Sequence, residues 1–434
     1  MSGSTPLVAN ALVPNSLVKG WCPGALRPMQ TGDGLLVRVR PRAGALSFQA
    51  LKAIAETAAT FGSGEIDITN RANLQLRGLS DITFPDAIAA LGRAGLLDGD
   101  ADAEAVRNVI VDPLCGLDPD RVDLRSLAAE LEKLLTERTA LHALPGKFGL
   151  SISGTPRSLA GQTAADIMIS AFAPHTCAIR LDGDARIHAV VELATCLAAV
   201  ERLIVAFLTI RSNNTSVRRM RDAISANGSS KIFASAGLET RIAADTRASS
   251  AALAGCIGPA AAPFAVGIGL TFGRIRASAL QSLCDFALQL GCAEVRLSQQ
   301  RTFVVPVEDA TTAAALLVHA TQANLITRDS DPRLAMDVCP GAPSCANATT
   351  NTRADAQRLV STLEGLPLPM PSVHISGCEK GCARRASAAL TFVARNGAYD
   401  AIFDGAADGA VSVAGIAPDA INATAAKFLA ERAP

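Results

Sequence analysis

Four cysteines in two tight pairs are the residues of this chain best suited to chemistry. The first pair closes Cys339-Pro-Gly-Ala-Pro-Ser-Cys345, and thirty-two residues separate Cys345 from Cys378 of Gly377-Cys378-Glu-Lys-Gly-Cys382. Spacings of Cys-x5-Cys and Cys-x3-Cys let each pair offer two thiolates to one inorganic centre. Pro340, Gly341 and Pro343 demand a turn inside the first pair. Gly377 and Gly381 let the backbone come close to whatever the second pair holds. Thiolates select soft metals, so zinc and an iron–sulfur cluster are the candidates. Zinc ribbons pair cysteines about two to four residues apart, and the first pair is loose for that. Four buried cysteines without metal are a third reading, because free cysteine packs as a small hydrophobe.

The other candidates are weaker. The histidines are His142, His175, His188, His319 and His374. They form no His-x-Asp/Glu pair followed by a spaced histidine, so none is nominated as a ligand; His374 stands nearest the cysteine loops. Cys22 is open to three readings: ligand, redox thiol or buried structural thiol. Gly267-Ile-Gly269-Leu-Thr-Phe-Gly273 is one residue too long for a dinucleotide fingerprint. No built-in nicotinamide domain is expected.

Positioning these residues takes a regular scaffold. Leu36-Val-Arg-Val-Arg40 alternates with the period of a strand, which sets Arg38 and Arg40 on one face and Val37 and Val39 on the other. Ser47 suits a helix N-cap, Leu51, Ile54, Ala58 and Phe61 follow at helical spacing, and Gly62 ends the run. Strands are expected around Ile66–Ile68 and Leu74–Leu76, then a helix near 84–95. The pattern returns 229 residues later without a gap. Gly44, Leu51, Ile54, Ala58, Gly62 and Glu65 match Gly273, Leu280, Leu283, Ala287, Gly291 and Glu294. Ser151-Ile-Ser-Gly154 likewise resembles His374-Ile-Ser-Gly377, but only the second copy continues into a cysteine. The chain therefore reads as a duplication with one copy specialised for metal. Residues 121–141 and 192–226 read as amphipathic helices, residues 1–20 as a polar lead-in, and Ala251–Pro263 as a linker.

Composition narrows the class. The chain has 434 residues, enough for several domains, and its 40 basic and 40 acidic residues cancel. Without a basic bias, nucleic acid is not an expected partner. No charge-free apolar run reaches the length of a membrane span, and no signal peptide is evident. Eleven cysteines, an odd number in this pattern, point to a reducing cytoplasm rather than to disulfides.

The cysteine pattern resembles the [4Fe–4S] signature of the sulfite and nitrite reductase superfamily. The likeness runs on through Gly381-Cys-Ala-Arg-Arg385 and Ala388-Ala-Leu-Thr-Phe-Val393. It implies that Cys339, Cys345, Cys378 and Cys382 hold the cluster. It also implies an α+β fold with duplicated ferredoxin-like modules and two reductase-like α+β modules in pseudo-two-fold symmetry. On this chain those would be residues 20–97 and 262–328 (ferredoxin-like), and 98–250 and 329–434 (reductase-like), the last carrying the cysteines. Members hold a siroheme beside the cluster and grip its carboxylates with basic residues. Four positions here match: Arg40 in Arg38-Val-Arg40, Arg71 in Thr69-Asn-Arg71-Ala-Asn-Leu-Gln75, Arg107 in Arg107-Asn-Val109, and Lys147 in Leu144-Pro-Gly-Lys147-Phe148. A polycarboxylate tetrapyrrole must be neutralised as it loses water, and arginine does this bidentately. One position departs: the reductases carry a second lysine where this chain has Gly149.

The segment Gly20-Trp-Cys-Pro-Gly-Ala-Leu-Arg-Pro-Met-Gln-Thr-Gly-Asp-Gly34, followed by Leu35-Leu-Val-Arg-Val-Arg-Pro41, is similar to the precorrin-3B synthase family within that superfamily. That likeness implies an oxygen-dependent monooxygenase of aerobic cobalamin biosynthesis. Its substrate would be precorrin-3A, hydroxylated at C20, with a ring A acetate closing a γ-lactone onto C1. It further implies a mononuclear non-haem iron beside the [4Fe–4S] cluster and NADH as electron source, delivered by a separate reductase. Two other readings stand beside it. One is a siroheme-dependent sulfite or nitrite reductase with Cys382 as shared ligand. The other is a non-catalytic tetrapyrrole-binding or zinc-stabilised scaffold.

Overall fold

The computed structural model describes residues 22–155, 165–242, 253–367 and 369–432. The lead-in, Trp21 and the first two residues of the expected linker lie outside the described residues.

Local rules hold where the sequence is most periodic. Ser47 caps the helix Phe48–Phe61 by accepting the Ala50 N–H, and Gly62 ends it. Val37 and Val39 of the strand Gly34–Val39 are buried, so Arg38 and Arg40 leave from the opposite face. The strand Glu65–Ile68, the strand Leu74–Leu79 and the helix Phe84–Arg93 follow in the expected order. The second copy repeats them as Ala277–Gln289, Glu294–Leu297, Thr302–Pro306 and Ala310–Gln322.

These elements build two antiparallel sheets that exchange a strand. The first runs Met29–Thr31, Gly34–Val39, Leu74–Leu79, Glu65–Ile68 and then Arg274–Arg276, which comes from the second copy. The second runs Gly255–Ile257, Ala265–Gly269, Thr302–Pro306, Glu294–Leu297 and then Ala45–Ser47, which comes from the first copy. The duplicated helices pack on each other, with Leu51, Ile54, Leu280 and Leu283 inside one shared core. Each such side chain contributes ~1.5–3 kcal/mol by leaving water. The expected boundary at 262 is crossed, because Gly255–Ile257 inside the expected linker is already a strand of the second sheet. Gly255 and Gly258 take positive φ there, so its small residues turn a hairpin.

Two further sheets each begin with three parallel strands and end antiparallel. One orders Val109–Val111, Leu150–Ser153, Ile167–Ala173, Thr176–Leu181, Asp184–Glu192 and Arg241–Ile242. The other orders Met336–Val338, Val373–Ser376, Ala388–Arg395, Ala398–Gly405 and Val413–Ile416. The apolar stretch 192–226 breaks into Leu193–Asn213 and Met220–Asn227. By length and composition Leu193–Asn213 could cross a membrane. Here Cys196, Val200, Leu203 and Phe207 are buried in the core of the first of these sheets. Glu201 and Arg202, at its middle, bind Arg138 and the Ala236 carbonyl.

Asp67 ties three modules together. Arg274 of the exchanged strand donates to it at 2.6 and 2.9 Å, Arg353 at 3.1 Å, and Arg77 lies at 3.7 Å. Burial alone would raise the Asp67 carboxyl, but Arg353, Arg274 and Arg77 overcome it and hold the group at about 2. Asp67→Asn should therefore cost about 3–5 kcal/mol, read as a lower denaturant midpoint at neutral pH. A depressed native value stabilises above the unfolded carboxylate range and is lost as pH falls through it. The gap between wild type and Asp67→Asn should close between about pH 4 and pH 2. A gap constant across that range would refute the assignment.

Candidate active site

The cysteine loops leave the carboxyl ends of two adjacent parallel strands, a common place for ligands in sheets of this kind. Cys339 directly follows Met336–Val338, and Gly377-Cys378 follows Val373–Ser376. The Cys339 N–H donates to the Ile375 carbonyl at 3.2 Å, and the Gly377 N–H donates to the Cys339 sulfur at 3.1 Å. A Cβ at Gly377 would lie 2.5 Å from Ala348 and 3.4 Å from that sulfur, so only glycine allows the approach. Thr352 donates to the Cys339 carbonyl at 2.8 Å.

The four thiols lie near enough for their charges to bear on one another. Burial pushes the Cys339 thiol up, with Cys345 adding to the rise. Cys382 is the most exposed of the four. Enough protein surrounds its sulfur to raise it too; Lys380 offsets part of this, while Cys378, Cys339 and Cys345 add to it. Among the described residues no three His, Cys, Asp or Glu side chains close on a single ion. A four-iron cluster asks for something else, one thiolate per corner iron, and the donor set is the one it takes. The first copy shows what happens without it. Asp112 follows Val109–Val111 where Cys339 follows its strand, and Arg121 pairs with it at 2.6 Å.

The cysteine loop is tied to the first copy. Arg77, 2% exposed, donates to Asp33 at 2.8 and 2.9 Å and to the Ser344 carbonyl at 2.8 Å. The Gly32 N–H reaches the same carbonyl at 3.3 Å. On the other side Arg301 donates to the Ala383 carbonyl at 3.2 Å and pairs with Asp337 at 3.0 Å. Asp337 also takes Arg384 at 3.0 Å. His374, in register with Asp337, is fully buried, and neither ring nitrogen has a partner among the described residues. Burial brings it down to about 4, so it is neutral at ordinary pH.

The basic residues separate into two kinds. Arg40 is 5% exposed and none of its three guanidinium nitrogens has a partner among the described residues. Burial lowers it to about 10, and its neighbour Arg38 lowers it further toward that value. Burial lowers Arg38 as well, and Cys22 and Glu104 lie near enough to oppose that. Burial also lowers Arg71, and Arg219 and Arg38 are near enough to add to the effect. Arg71 donates to the Lys147 carbonyl at 3.1 Å, and the Lys147 side chain is half-buried at that edge. Arg38, Arg40 and Arg71 thus stand near Cys22, with Arg219 beside Arg71. Arg107 belongs elsewhere: Asp98 takes it at 2.8 and 2.9 Å, and Glu132 lies at 3.5 Å. It donates to the Arg40 carbonyl at 3.0 Å, so it holds the backbone of Arg40 rather than standing open.

Arg77, Arg219 and Arg301 were not singled out from sequence. Each sits in a stretch with no motif, and its partner is brought by the fold from far along the chain. The one available signal was the Arg77 position beside Gly78 in an otherwise apolar strand.

Comparison with known proteins places this geometry. Residues 27–94 match the nitrite/sulfite reductase ferredoxin-like half domain. The structure superposes on Mycobacterium tuberculosis NirA protein with a TM-score of 0.73, covering 90% of this chain and 79% of that one at 18% identity. The fold is that of the sulfite and nitrite reductases. A ferredoxin–nitrite reductase of Synechococcus elongatus is 27% identical over 82% of this chain and 75% of its own length. A precorrin-3B synthase of a Sinorhizobium species is 35% identical over 94% of this chain and 88% of its own length. The chain belongs to the precorrin-3B synthase family. It is an enzyme of the oxidoreductase kind, from a fold that carries an iron–sulfur cofactor.

Proposed function

We propose that this chain is an oxygen-dependent monooxygenase that converts precorrin-3A to precorrin-3B in aerobic cobalamin biosynthesis. One atom of O2 becomes the C20 hydroxyl, and the other leaves as water with two electrons from NADH. The ring A acetate closes a γ-lactone onto C1. The observation that carries this is Arg40, a buried guanidinium without a partner among the described residues, in a chain similar along nearly its whole length to a precorrin-3B synthase. An unpaired buried cation calls for an anionic ligand, and a polycarboxylate macrocycle supplies several.

Cys339, Cys345, Cys378 and Cys382 would hold the cluster, which would supply one-electron relay; a mononuclear non-haem iron would supply an open position for oxygen, and among the described residues no three ligands for it close on one point. The chain's own residues bind and orient. Arg40 and Arg71 take substrate carboxylates, Lys147 adds a cation at the edge, and Arg107 fixes the backbone under Arg40. Electrons come from NADH through a separate reductase in the cytoplasm. Steady NADH oxidation by the pure chain with oxygen and substrate alone would rule that partner out.

The test is the absorbance of anaerobically purified protein, with iron, sulfide and extractable tetrapyrrole quantified. Expected are a broad brown band, labile sulfide and no siroheme, then turnover of precorrin-3A with oxygen and a donor. Stoichiometric siroheme would move the assignment to sulfite or nitrite reduction. A colourless zinc protein would sink both.

A further inference from the structure

The sheet that begins with Val109–Val111 carries a row of basic residues on the face away from its core. Ile169, Ile179, Leu181 and Ala189 of its middle strands point into that core. The alternate residues leave from the other face. Arg180 lies directly opposite His188, and His188 directly opposite Arg241, so the three stand side by side across three antiparallel strands. Cations in such a row destabilise a sheet unless an acid offsets them. No ion pair reaches Arg180 or Arg241 among the described residues. The carboxylates nearest in sequence, Asp182 and Asp184, are taken by Arg221 and Ser229. Burial lowers the Arg180 guanidinium with no carboxylate to oppose it. His188 is 8% exposed, and its Nδ1 has no partner among the described residues. Burial lowers His188 too, and Arg180 and Arg241 push it the same way. The face also offers a hydroxyl and a ring. Ser170 is buried two residues beyond Met168, the neighbour of Arg180, and its Oγ has no partner among the described residues. The Phe172 ring lies 6.2 Å from that of His188 and is more than half exposed.

We propose that this face binds a mononucleotide, with its phosphate between Arg180 and Arg241 beside His188 and its base against Phe172. Charge selects the phosphate. One guanidinium fork satisfies a single carboxylate, whereas a phosphate monoester brings nearly two charges and three oxygens to several donors at once. The exposed phenyl ring gives a base a surface to stack on. Size selects one nucleotide: neighbouring strands lie about 4.8 Å apart, so the row spans about 10 Å from Arg180 to Arg241. The site is separate from the one proposed for the tetrapyrrole, because the charges of Arg40 and Arg71 are not among those that bear on Arg180 or His188. It stands whichever substrate that other site takes.

The experiment is a calorimetric titration of the full-length, anaerobically purified protein with AMP and with inorganic phosphate, at fixed ionic strength. AMP should bind about tenfold more tightly than phosphate, the base supplying the difference. Arg180→Gln should weaken both about tenfold or more. Phe172→Ser should weaken AMP about tenfold and leave phosphate unchanged. Arg93→Gln is the control for charge alone, since Arg93 is an exposed cation at the end of the helix Phe84–Arg93. It should bind both as wild type does. Should Arg180→Gln fail to fold, Arg241→Gln on the exposed edge strand should show the same loss. Absence of AMP binding, equal losses in Arg180→Gln and Arg93→Gln, or an unchanged AMP affinity in Phe172→Ser would each overturn the assignment. All three outcomes leave the proposed function standing.

Discussion

Cys339→Ser should yield a protein that folds but is colourless, with iron and sulfide near zero after anaerobic purification. Cys339 is the innermost of the four thiols, 6% exposed, with its sulfur held by the Gly377 N–H. A serine oxygen is a hard, shorter ligand and cannot reach the corner a thiolate fills. Activity should fall more than about a hundredfold, beyond the ten- to hundredfold typical of a residue that only supports a ligand. Thr352→Ala gives the scale, because Thr352 binds the Cys339 carbonyl and not the metal. It should lower cluster content only in part. The fold survives because the two exchanged sheets keep a core to which the loop contributes nothing. Iron and sulfide analysis with far-ultraviolet circular dichroism checks both halves. Full cluster content in Cys339→Ser would remove Cys339 from the ligand set.

Arg40→Met should make the protein more stable and disable it. In the free protein the buried Arg40 guanidinium gains no partner among the described residues, and Arg38 stands beside it. A methionine of similar length fills the space without that penalty. The denaturant midpoint should rise by the equivalent of about 1–3 kcal/mol. Tetrapyrrole affinity should fall about a hundredfold, because a substrate carboxylate would then be buried unpaired. Opposite signs in the two measurements identify a residue kept for binding and not for folding. If Arg40→Met is less stable than wild type, the guanidinium has a structural partner and the substrate role falls. Arg107→Met makes the contrast: its loss strands Asp98 and Glu132, so it should destabilise.

Much of the scaffold was legible because local rules governed it. Ser47 and Gly62 bound the first helix, and the offset from Gly44 to Gly273 marks a duplication that the two sheets carry out. The exchange of strands was not legible. Ala45–Ser47 and Arg274–Arg276 have nearly the same pattern in both copies, so nothing local tells either strand which sheet to join. The break in the helix expected over 192–226 was missed because the apolar period continues through Val217 and Met220, both buried. Arg107 illustrates the limit for a site. Its motif marks a basic position, but whether the charge is open or spent depends on Asp98 and on Glu132 from a helix outside the motif. Arg219 carries no motif, and only the fold sets it beside Arg71.

The exchanged strands also decide when the protein can exist. Arg276 pairs with Glu65, and Arg296 with Ala45. A ribosome that has released the first module has not yet made the edge strand that completes its sheet. Until residue 276 emerges, Glu65–Ile68 has an open edge, and such edges invite pairing with other chains. Neither half can finish first, so the scaffold closes as one late, cooperative event built on contacts distant in sequence. The cysteines come later still. A cluster bound by them would therefore meet a chain whose scaffold strands are already made, and would arrive as the last piece rather than as the nucleus.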